Sequence, residues 1–171
     1  PWNLSVANKW HVLSDSRLND ISIVYTIPNC EYGVDSRARD SLVAMVNDAN
    51  AAGCGLWYSS IYRSVDSQRQ NFENRVQMSM SQAGGDRAKA EEIAATVVAR
   101  PGTSDHNLGL AVDFNGCKTA FKDTAAYRWL IKHCADYGYI LRYPADKQDI
   151  TKVVYEPWHY RYVGVTLATY L

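Results

Sequence analysis

Several features are missing from this 171-residue sequence, and each absence excludes a class of protein. There is no net charge, because 18 Lys and Arg balance 18 Asp and Glu, whereas nucleic-acid-binding domains usually carry a basic excess. No apolar run approaches the roughly 18–20 residues of a membrane span, and no signal peptide is visible. Internal repeats and low-complexity linkers are also absent, so we expect one domain over residues 1–171.

The chain begins at Pro1 rather than at Met, which suggests a processed or trimmed chain. A removed signal or membrane anchor therefore stays open as an expectation. The four cysteines include no C-x-x-C pair, which argues against a structural zinc ribbon. Cys117 and Cys134 flank a predicted helix and could form a disulfide, but buried free thiols are an equal alternative.

Hydrophobic periodicity predicts both helices and strands, and the two kinds of element segregate along the chain instead of alternating strictly. The predicted helices are 36–53, 64–82, 86–99 and 124–138, with a short terminal helix. The predicted strands are a short piece near 21–27, then 56–62, 108–114, 139–143 and 153–163. This pattern favours the α+β class over a doubly wound sheet.

Two compact clusters combine histidine with carboxylates. Asp113 lies in the apolar run Leu-Gly-Leu-Ala-Val-Asp-Phe. Burying an unpaired carboxylate there would cost several kcal/mol, so Asp113 needs a metal or another cation beside it. His106 lies in the loop that enters this predicted strand, and His159 lies near the C-terminus. Two histidines and one aspartate leave a fourth tetrahedral position open, which is the pattern of a catalytic zinc site.

Glu156 is the natural general base beside such a metal. Residues i and i+3 of a regular strand point to opposite faces, so Glu156 and His159 reach one site only if the backbone is irregular between them. Pro157 predicts a bulge or kink at that point. A cation should face the carbonyl under attack, and Arg63 is the candidate, with Arg142 and Arg161 as competitors.

The combination Ser104-x-His106-x-x-Gly109-x-Ala111-x-Asp113, followed by Glu156-x-x-His159, resembles the zinc D-alanyl-D-alanine peptidases of the LAS group. The context is similar to VanY-type D,D-carboxypeptidases over nearly the whole chain. The segments that carry this similarity are Tyr62-Arg63-Ser64 with Gln68, Pro101-Gly102-Thr103-Ser104, Tyr137 to Pro144 and Tyr155 to Gly164.

This resemblance implies a small central antiparallel sheet flanked by helices, and a Zn²⁺ held by His106, Asp113 and His159. It implies that Glu156 acts as base and Arg63 polarises the scissile carbonyl. Two further residues, Ser104 and Gln68, would help to hold the substrate. The implied substrate is a peptidoglycan stem peptide ending in D-Ala-D-Ala, which loses its last D-Ala. The implied setting is a monomer in the cell envelope, outside the cytoplasmic membrane, although some relatives are cytoplasmic.

Four positions depart from the family pattern, namely Ile61, Asp105, Asn107 and Lys152, and none is expected to touch a metal ligand. Ile61 is expected to add bulk beside Arg63 and so to affect substrate preference. An L,D-carboxypeptidase, a D,D-dipeptidase and a non-catalytic cell-wall-binding domain stay open as alternatives. A serine D,D-peptidase is disfavoured because no Ser is followed by Lys three positions later.

Overall fold

A four-stranded antiparallel sheet lies at the centre of the structure, a computed structural model that describes residues 1–171. Its strands follow the order β3-β4-β6-β5, and each neighbouring pair is antiparallel. A separate two-stranded sheet pairs β1 with β2. The strand bounds are β1 Ile23–Val24, β2 Val34–Asp35, β3 Tyr58–Ser60, β4 Ala111–Phe114, β5 Tyr139–Leu141 and β6 His159–Tyr162. The predicted α+β class and the small antiparallel sheet are confirmed.

Seven α-helices flank the sheets, and short 3₁₀ helices fill several connections. Three of the helices begin where a side chain caps the first turn, since Ser64, Asp86 and Thr124 each accept a hydrogen bond from a backbone N–H three residues on. The helix bounds are α1 Asp15–Asn19, α2 Arg39–Ala51, α3 Val65–Ser79, α4 Arg87–Ala94, α5 Ala125–His133, α6 Gln148–Thr151 and α7 Val165–Ala168. None of them is long and apolar enough to cross a membrane.

Strand β4 is buried along its full length, because β3 and β6 pair with its two edges and the core packs around it. Its Val112 and Phe114 belong to the main hydrophobic core, together with α2 side chains such as Leu42 and Met45. Asp113 lies between these apolar residues and is itself buried. The sheet therefore holds one carboxylate rigidly inside the protein.

Helices α3 and α4 form a second, smaller core of their own. Phe72 and Val76 from α3 pack against Ala90 and Ala94 from α4. This pair of helices stands beside the sheet, and α3 turns one of its remaining faces toward the cavity described below.

Several predicted elements are shorter in the structure. The last strand was predicted over 153–163, but β6 starts only at His159. Before it, Glu156 to His159 forms a turn in which the His159 N–H donates to the Glu156 carbonyl at 3.1 Å. Residues 145–151 are helical rather than a simple turn, and the predicted helix over 86–99 ends at Ala94. All four cysteines are free thiols, so the Cys117–Cys134 disulfide does not form.

Candidate metal centre

The register of the sheet brings Asp113 and His159 together. Asp113 of β4 lies directly opposite His159 of β6 on one side and opposite Ser60 of β3 on the other. Cross-strand partners project from the same face of a sheet, with Cβ atoms about 5 Å apart. Accordingly, His159 Nδ1 lies 3.1 Å from Asp113 Oδ1.

His106 approaches the same carboxylate from outside the sheet. It lies on a 3₁₀ helix, Asp105–Leu108, where the Ser104 hydroxyl accepts a hydrogen bond from the His106 N–H at 3.2 Å. Gly109 follows with a φ of 66°, a conformation that residues with a side chain rarely adopt, and the chain then enters β4. This geometry places His106 Nε2 at 3.2 Å from Asp113 Oδ2.

The side chains of His106, Asp113 and His159 are arranged to bind a cation rather than to hydrogen-bond with one another. The Ile61 carbonyl lies 2.5 Å from His106 Nδ1 and can only accept, so Nδ1 carries the proton and Nε2 presents a lone pair to the Asp113 carboxylate. Asp113 Oδ1 is fully buried and accepts no hydrogen bond. One ligand atom from each of His106, Asp113 and His159 lies within 4.8 Å of the others. A cation at this point would satisfy all three.

Protonation at the site also favours metal binding. Burial opposes the ionisation of Asp113, but His106 and His159 outweigh it and hold the pKa of this carboxyl below its usual range. Burial lowers the pKa of His159 despite the neighbouring Asp113. A carboxylate and a neutral imidazole are the forms that bind metal ions.

Glu156 is buried beside these residues, with Oε2 3.4 Å from His159 Nδ1. The turn at Pro157 lets both side chains face one point, and Pro suits the second position of such a turn because its φ is fixed. The predicted irregularity is therefore present, as a turn rather than a bulge. Burial, with a contribution from Asp113, raises the pKa of Glu156 to about 9, and Arg63 opposes the shift.

Arg63 is the arginine that reaches this site. It lines the cavity beside the metal centre, and its two guanidinium Nη atoms donate to Gln68 Oε1 at 2.8 Å and to Ser60 Oγ at 3.0 Å. The two competing arginines, Arg142 and Arg161, instead bind the buried Asp105 carboxylate and do not line this cavity.

The two predicted substrate-holding residues also line the cavity, but their polar groups are partly engaged. Gln68 accepts from Arg63, and its Nε2 donates to the Ala99 carbonyl at 2.6 Å, so the amide fixes the guanidinium. The Ser104 hydroxyl oxygen accepts the hydrogen bond from the His106 N–H that caps the 3₁₀ helix, and its own O–H is still free to donate. Contact of either residue with substrate stays a prediction.

One of the family departures touches a metal ligand after all. The Ile61 backbone carbonyl orients His106, while its side chain is fully buried in the core and adds no bulk to the cavity. The expectation that Ile61 crowds the site is therefore wrong, because its side chain packs into the main hydrophobic core. Asn107 contacts Arg63 instead, donating from Nδ2 to its carbonyl at 2.8 Å.

The cavity has a volume of about 420 Å³ and extends well beyond the metal centre. Sequence reasoning missed most of its wall. The Tyr143 ring packs against the His159 ring, with 4.9 Å between the centroids. The sequence hinted at Tyr143 only because it lies in the segment from Tyr137 to Pro144, which is similar to the family. The other lining residues that were not predicted are Asn71, Asn74, Arg75, Met78, Val97, Val98, Ala99, Cys117, Val153 and Trp158.

The small antiparallel sheet and the buried His–Asp–His centre together define the class, a LAS-type metallopeptidase fold. The sequence profile of VanY, D-alanyl-D-alanine carboxypeptidase, matches residues 31–165, and the chain belongs to this family.

Three relatives illustrate the family. A D-alanyl-D-alanine carboxypeptidase of Enterococcus faecalis (strain ATCC 700802 / V583) is 36% identical over 94% of this chain and 61% of its own length. A mutant of the vancomycin resistance D,D-pentapeptidase VanY, from a VanB-type resistance cassette and in complex with Zn(II), is 35% identical with a TM-score of 0.84, covering 99% of this chain and 93% of that one. The LdcB LD-carboxypeptidase is 35% identical with a TM-score of 0.80, covering 98% and 79%. The chain spans about three fifths of the length of two of the curated relatives it matches, and less of two others.

Proposed function

We propose that this chain is a zinc-dependent D-alanyl-D-alanine carboxypeptidase that removes the terminal D-Ala from peptidoglycan stem peptides. The observation that carries the proposal is a buried His–Asp–His set whose Asp113 Oδ1 lacks any hydrogen-bond partner, with Glu156 and Arg63 on the wall of the same cavity. Family membership and the zinc complex of a 35% identical relative support the choice of metal and reaction.

Zinc suits the donor set, because two imidazoles and one carboxylate are a known ligand combination with room for a fourth group. Bound at His106, Asp113 and His159, the metal supplies Lewis acidity and makes a water molecule easier to deprotonate. A divalent cation there would also oppose the effect of burial on Glu156 and favour its carboxylate form.

Glu156 moves the protons of the reaction. Its carboxylate accepts a proton from the attacking water, whose oxygen bonds to the scissile carbonyl carbon. The same carboxyl group then donates this proton to the nitrogen of the departing D-Ala as the C–N bond breaks. Burial favours the protonated form of Glu156 and the cation favours its carboxylate form, so the group can both accept the proton and hold it until the amine leaves.

Arg63 stabilises the negative charge that develops on the carbonyl oxygen. Gln68 and Ser60 fix its guanidinium in advance, so little reorganisation accompanies the reaction. Arg63 has no carboxylate within ion-pair distance, and its positive charge is therefore available to the substrate. Ser104 keeps an O–H that can donate to the terminal D-Ala or to the peptide backbone.

The length of the cavity favours a peptide over a free dipeptide. Its wall includes α3 residues from Gln68 to Met78, ten positions that rise about 15 Å along the helix. An extended peptide covers this length with four or five residues, at about 3.3 Å each. A dipeptide would leave most of the wall unused, so stem peptides are the better substrates.

The experiment compares three substrates with the zinc-loaded protein: a pentapeptide stem ending in D-Ala-D-Ala, the matching tetrapeptide stem, and D-Ala-D-Ala itself. Mass spectrometry of the products should show loss of one D-Ala from the pentapeptide only. Cleavage of the tetrapeptide alone would instead assign an L,D-carboxypeptidase, as in the LdcB relative. Binding of the pentapeptide without turnover over hours would indicate a cell-wall-binding domain.

The location that we infer for the protein follows from the proposed substrate. We infer a monomer that acts in the cell envelope, outside the cytoplasmic membrane, where stem peptides are accessible. Size-exclusion chromatography with light scattering tests the monomer, and fractionation of cells that produce the full-length protein tests the location.

A further inference from the structure

One face of α3 lines the cavity far from the metal. Asn71, Asn74, Arg75 and Met78 follow Gln68 at helical spacing and all contribute to the wall. Arg75 lies seven residues after Gln68, which corresponds to about 10 Å along the helix axis. None of the roles proposed above uses this end of the cavity, so its chemistry requires a separate explanation.

Arg75 has no partner within the protein. Its Nε atom is fully buried and makes no hydrogen bond, and its guanidinium takes part in no ion pair. Neighbouring charges on the same helix behave differently, because Arg69 pairs with Asp66 and Glu73 pairs with Arg87. Buried donors are almost always satisfied in folded proteins, so the unpartnered Nε is unusual. The two Nη atoms make no bond within the protein either and are not buried, so they are free to contact a group that a ligand brings into the cavity.

We propose that Arg75 binds a carboxylate of the peptide substrate. A planar guanidinium matches a carboxylate in a two-point contact, and the exposed amides of Asn71 and Asn74 can donate beside it. Asn74 accepts from Gln70 through its Oδ1 and keeps its N–H groups free, while Asn71 has no side-chain partner. The proposal rests on the proposed function for the assumption that the ligand is a peptide.

Two carboxylates of such a peptide could meet Arg75: the C-terminal carboxylate or that of an acidic residue upstream of the scissile bond. The C-terminal carboxylate lies one residue from the scissile bond, within about 4 Å. Arg75 stands about 10 Å along α3 from Gln68, which contacts Arg63. The experiment separates the two sources.

The test uses the zinc-loaded enzyme and two pentapeptides ending in D-Ala-D-Ala. Their second residue is a γ-linked D-glutamate that carries either a free α-carboxylate or the amide of that group. The unsubstituted enzyme is compared with Arg75→Gln, with the charge-conserving Arg75→Lys, and with Arg69→Gln as control. Arg69 is on the same helix but is exposed and outside the cavity. Circular dichroism melting establishes that each variant is folded.

If Arg75 reads the upstream carboxylate, Arg75→Gln raises KM for the acidic peptide by about 10- to 100-fold, leaves kcat nearly unchanged and leaves KM for the amidated peptide unchanged. Arg75→Lys should recover part of the loss. If Arg75 reads the terminal carboxylate, KM rises equally for both peptides. Inhibition by C-terminally amidated peptides is then the same for the unsubstituted enzyme and Arg75→Gln.

The proposal is overturned if the KM values of Arg75→Gln for both peptides equal those of the Arg69→Gln control. Should the unsubstituted enzyme hydrolyse neither peptide, the proposed function fails on its own, and calorimetric binding of the same peptides still tests Arg75. Equal dissociation constants for the unsubstituted protein and Arg75→Gln, or no binding at all, would then refute the carboxylate site.

Discussion

Replacing Asp105 by Asn should reveal how much the structure around the metal centre depends on one buried charge. The Asp105 carboxylate is 1% exposed and bonds both Arg161, which is 4% exposed, and Arg142, at 2.9 Å. It is also adjacent in the chain to His106, one of the three proposed metal ligands. Its loss therefore leaves positive charge uncompensated inside the protein and loosens the segment that holds a ligand.

The expected magnitude follows from the contacts that remain. Removing one partner of a buried ion pair costs about 3–5 kcal/mol. The Asn oxygen can still accept from one guanidinium, and Arg161 Nη2 keeps its bonds to the carbonyls of Asn3 and Ser5. We therefore expect the lower end, about 3 kcal/mol in the free energy of unfolding. For a chain of this size that corresponds to a fall in Tm of about 6–12 °C.

The assay is thermal and urea unfolding of the parent protein, Asp105→Asn and the control Asp66→Asn, each with chelator and with excess zinc. Both metal conditions are needed because bound metal stabilises the native state by mass action. Asp66 forms an exposed pair with Arg69, so its substitution should leave Tm nearly unchanged. If Asp105→Asn melts within 2 °C of that control, the reasoning about the buried charge is refuted.

The difference should also depend on pH. Burial opposes ionisation of Asp105, but Arg161 and Arg142 outweigh it and lower its pKa below the ordinary value. A carboxyl with a depressed folded-state pKa contributes its full stability above the unfolded pKa of about 3.9 and loses it as the pH falls further. The parent should therefore exceed Asp105→Asn in stability at pH 6–8, and the gap should narrow below about pH 4.

Four further substitutions test the site and the fold. Glu156→Ala should keep one zinc by elemental analysis and lose about 10²–10⁴ in kcat, and a parent-like rate would remove Glu156 as the base. His159→Ala should lose the metal, so stoichiometric zinc would contradict the ligand set. Arg63→Lys keeps the positive charge but loses the planar guanidinium with its two donating Nη groups, and should lower kcat by about 10²–10³ at unchanged zinc content. An unchanged kcat would exclude a role of Arg63 at the scissile carbonyl. Gly109→Ala forces a side chain into a φ of 66° and its Cβ to 2.8 Å from the Asp35 backbone nitrogen, which should destabilise the protein by at least about 1–2 kcal/mol in urea unfolding. Parent-like stability would show that the backbone can shift.

Local signals predicted the parts of this structure that local physics determines. Helices were predicted to begin at 64 and 124, and in the structure Ser64 and Thr124 cap α3 and α5, because a side-chain oxygen that can satisfy the first turn is visible in the sequence. Asp113 stood out because a carboxylate in an apolar run requires a partner. Pro157 marked an irregular backbone, although the sequence could not distinguish a bulge from the turn that forms.

Long-range pairing was beyond such signals. Nothing local indicates that Asp113 lies opposite His159, 46 positions later, because strand register is set by the whole sheet. Without the family resemblance, which implies Arg63, the choice among the three arginines was undecidable for the same reason. Arg142 and Arg161 both bind Asp105, which is 37 and 56 positions away, and the folded chain places Arg63 on the wall of the cavity beside the candidate metal centre.

The charges of the protein thus divide into two groups with different consequences. Asp105 binds Arg142 and Arg161 in the interior, and these contacts hold the His106 segment in place. Asp113, with an unpartnered oxygen, and Arg75, with an unpartnered nitrogen, lie at separate places on one cavity wall. A metal cation would satisfy Asp113, and the proposed carboxylate of the substrate would pair with Arg75. A ligand that carries a carboxylate about 10 Å from its reactive carbonyl would complete both ends of the cavity at once.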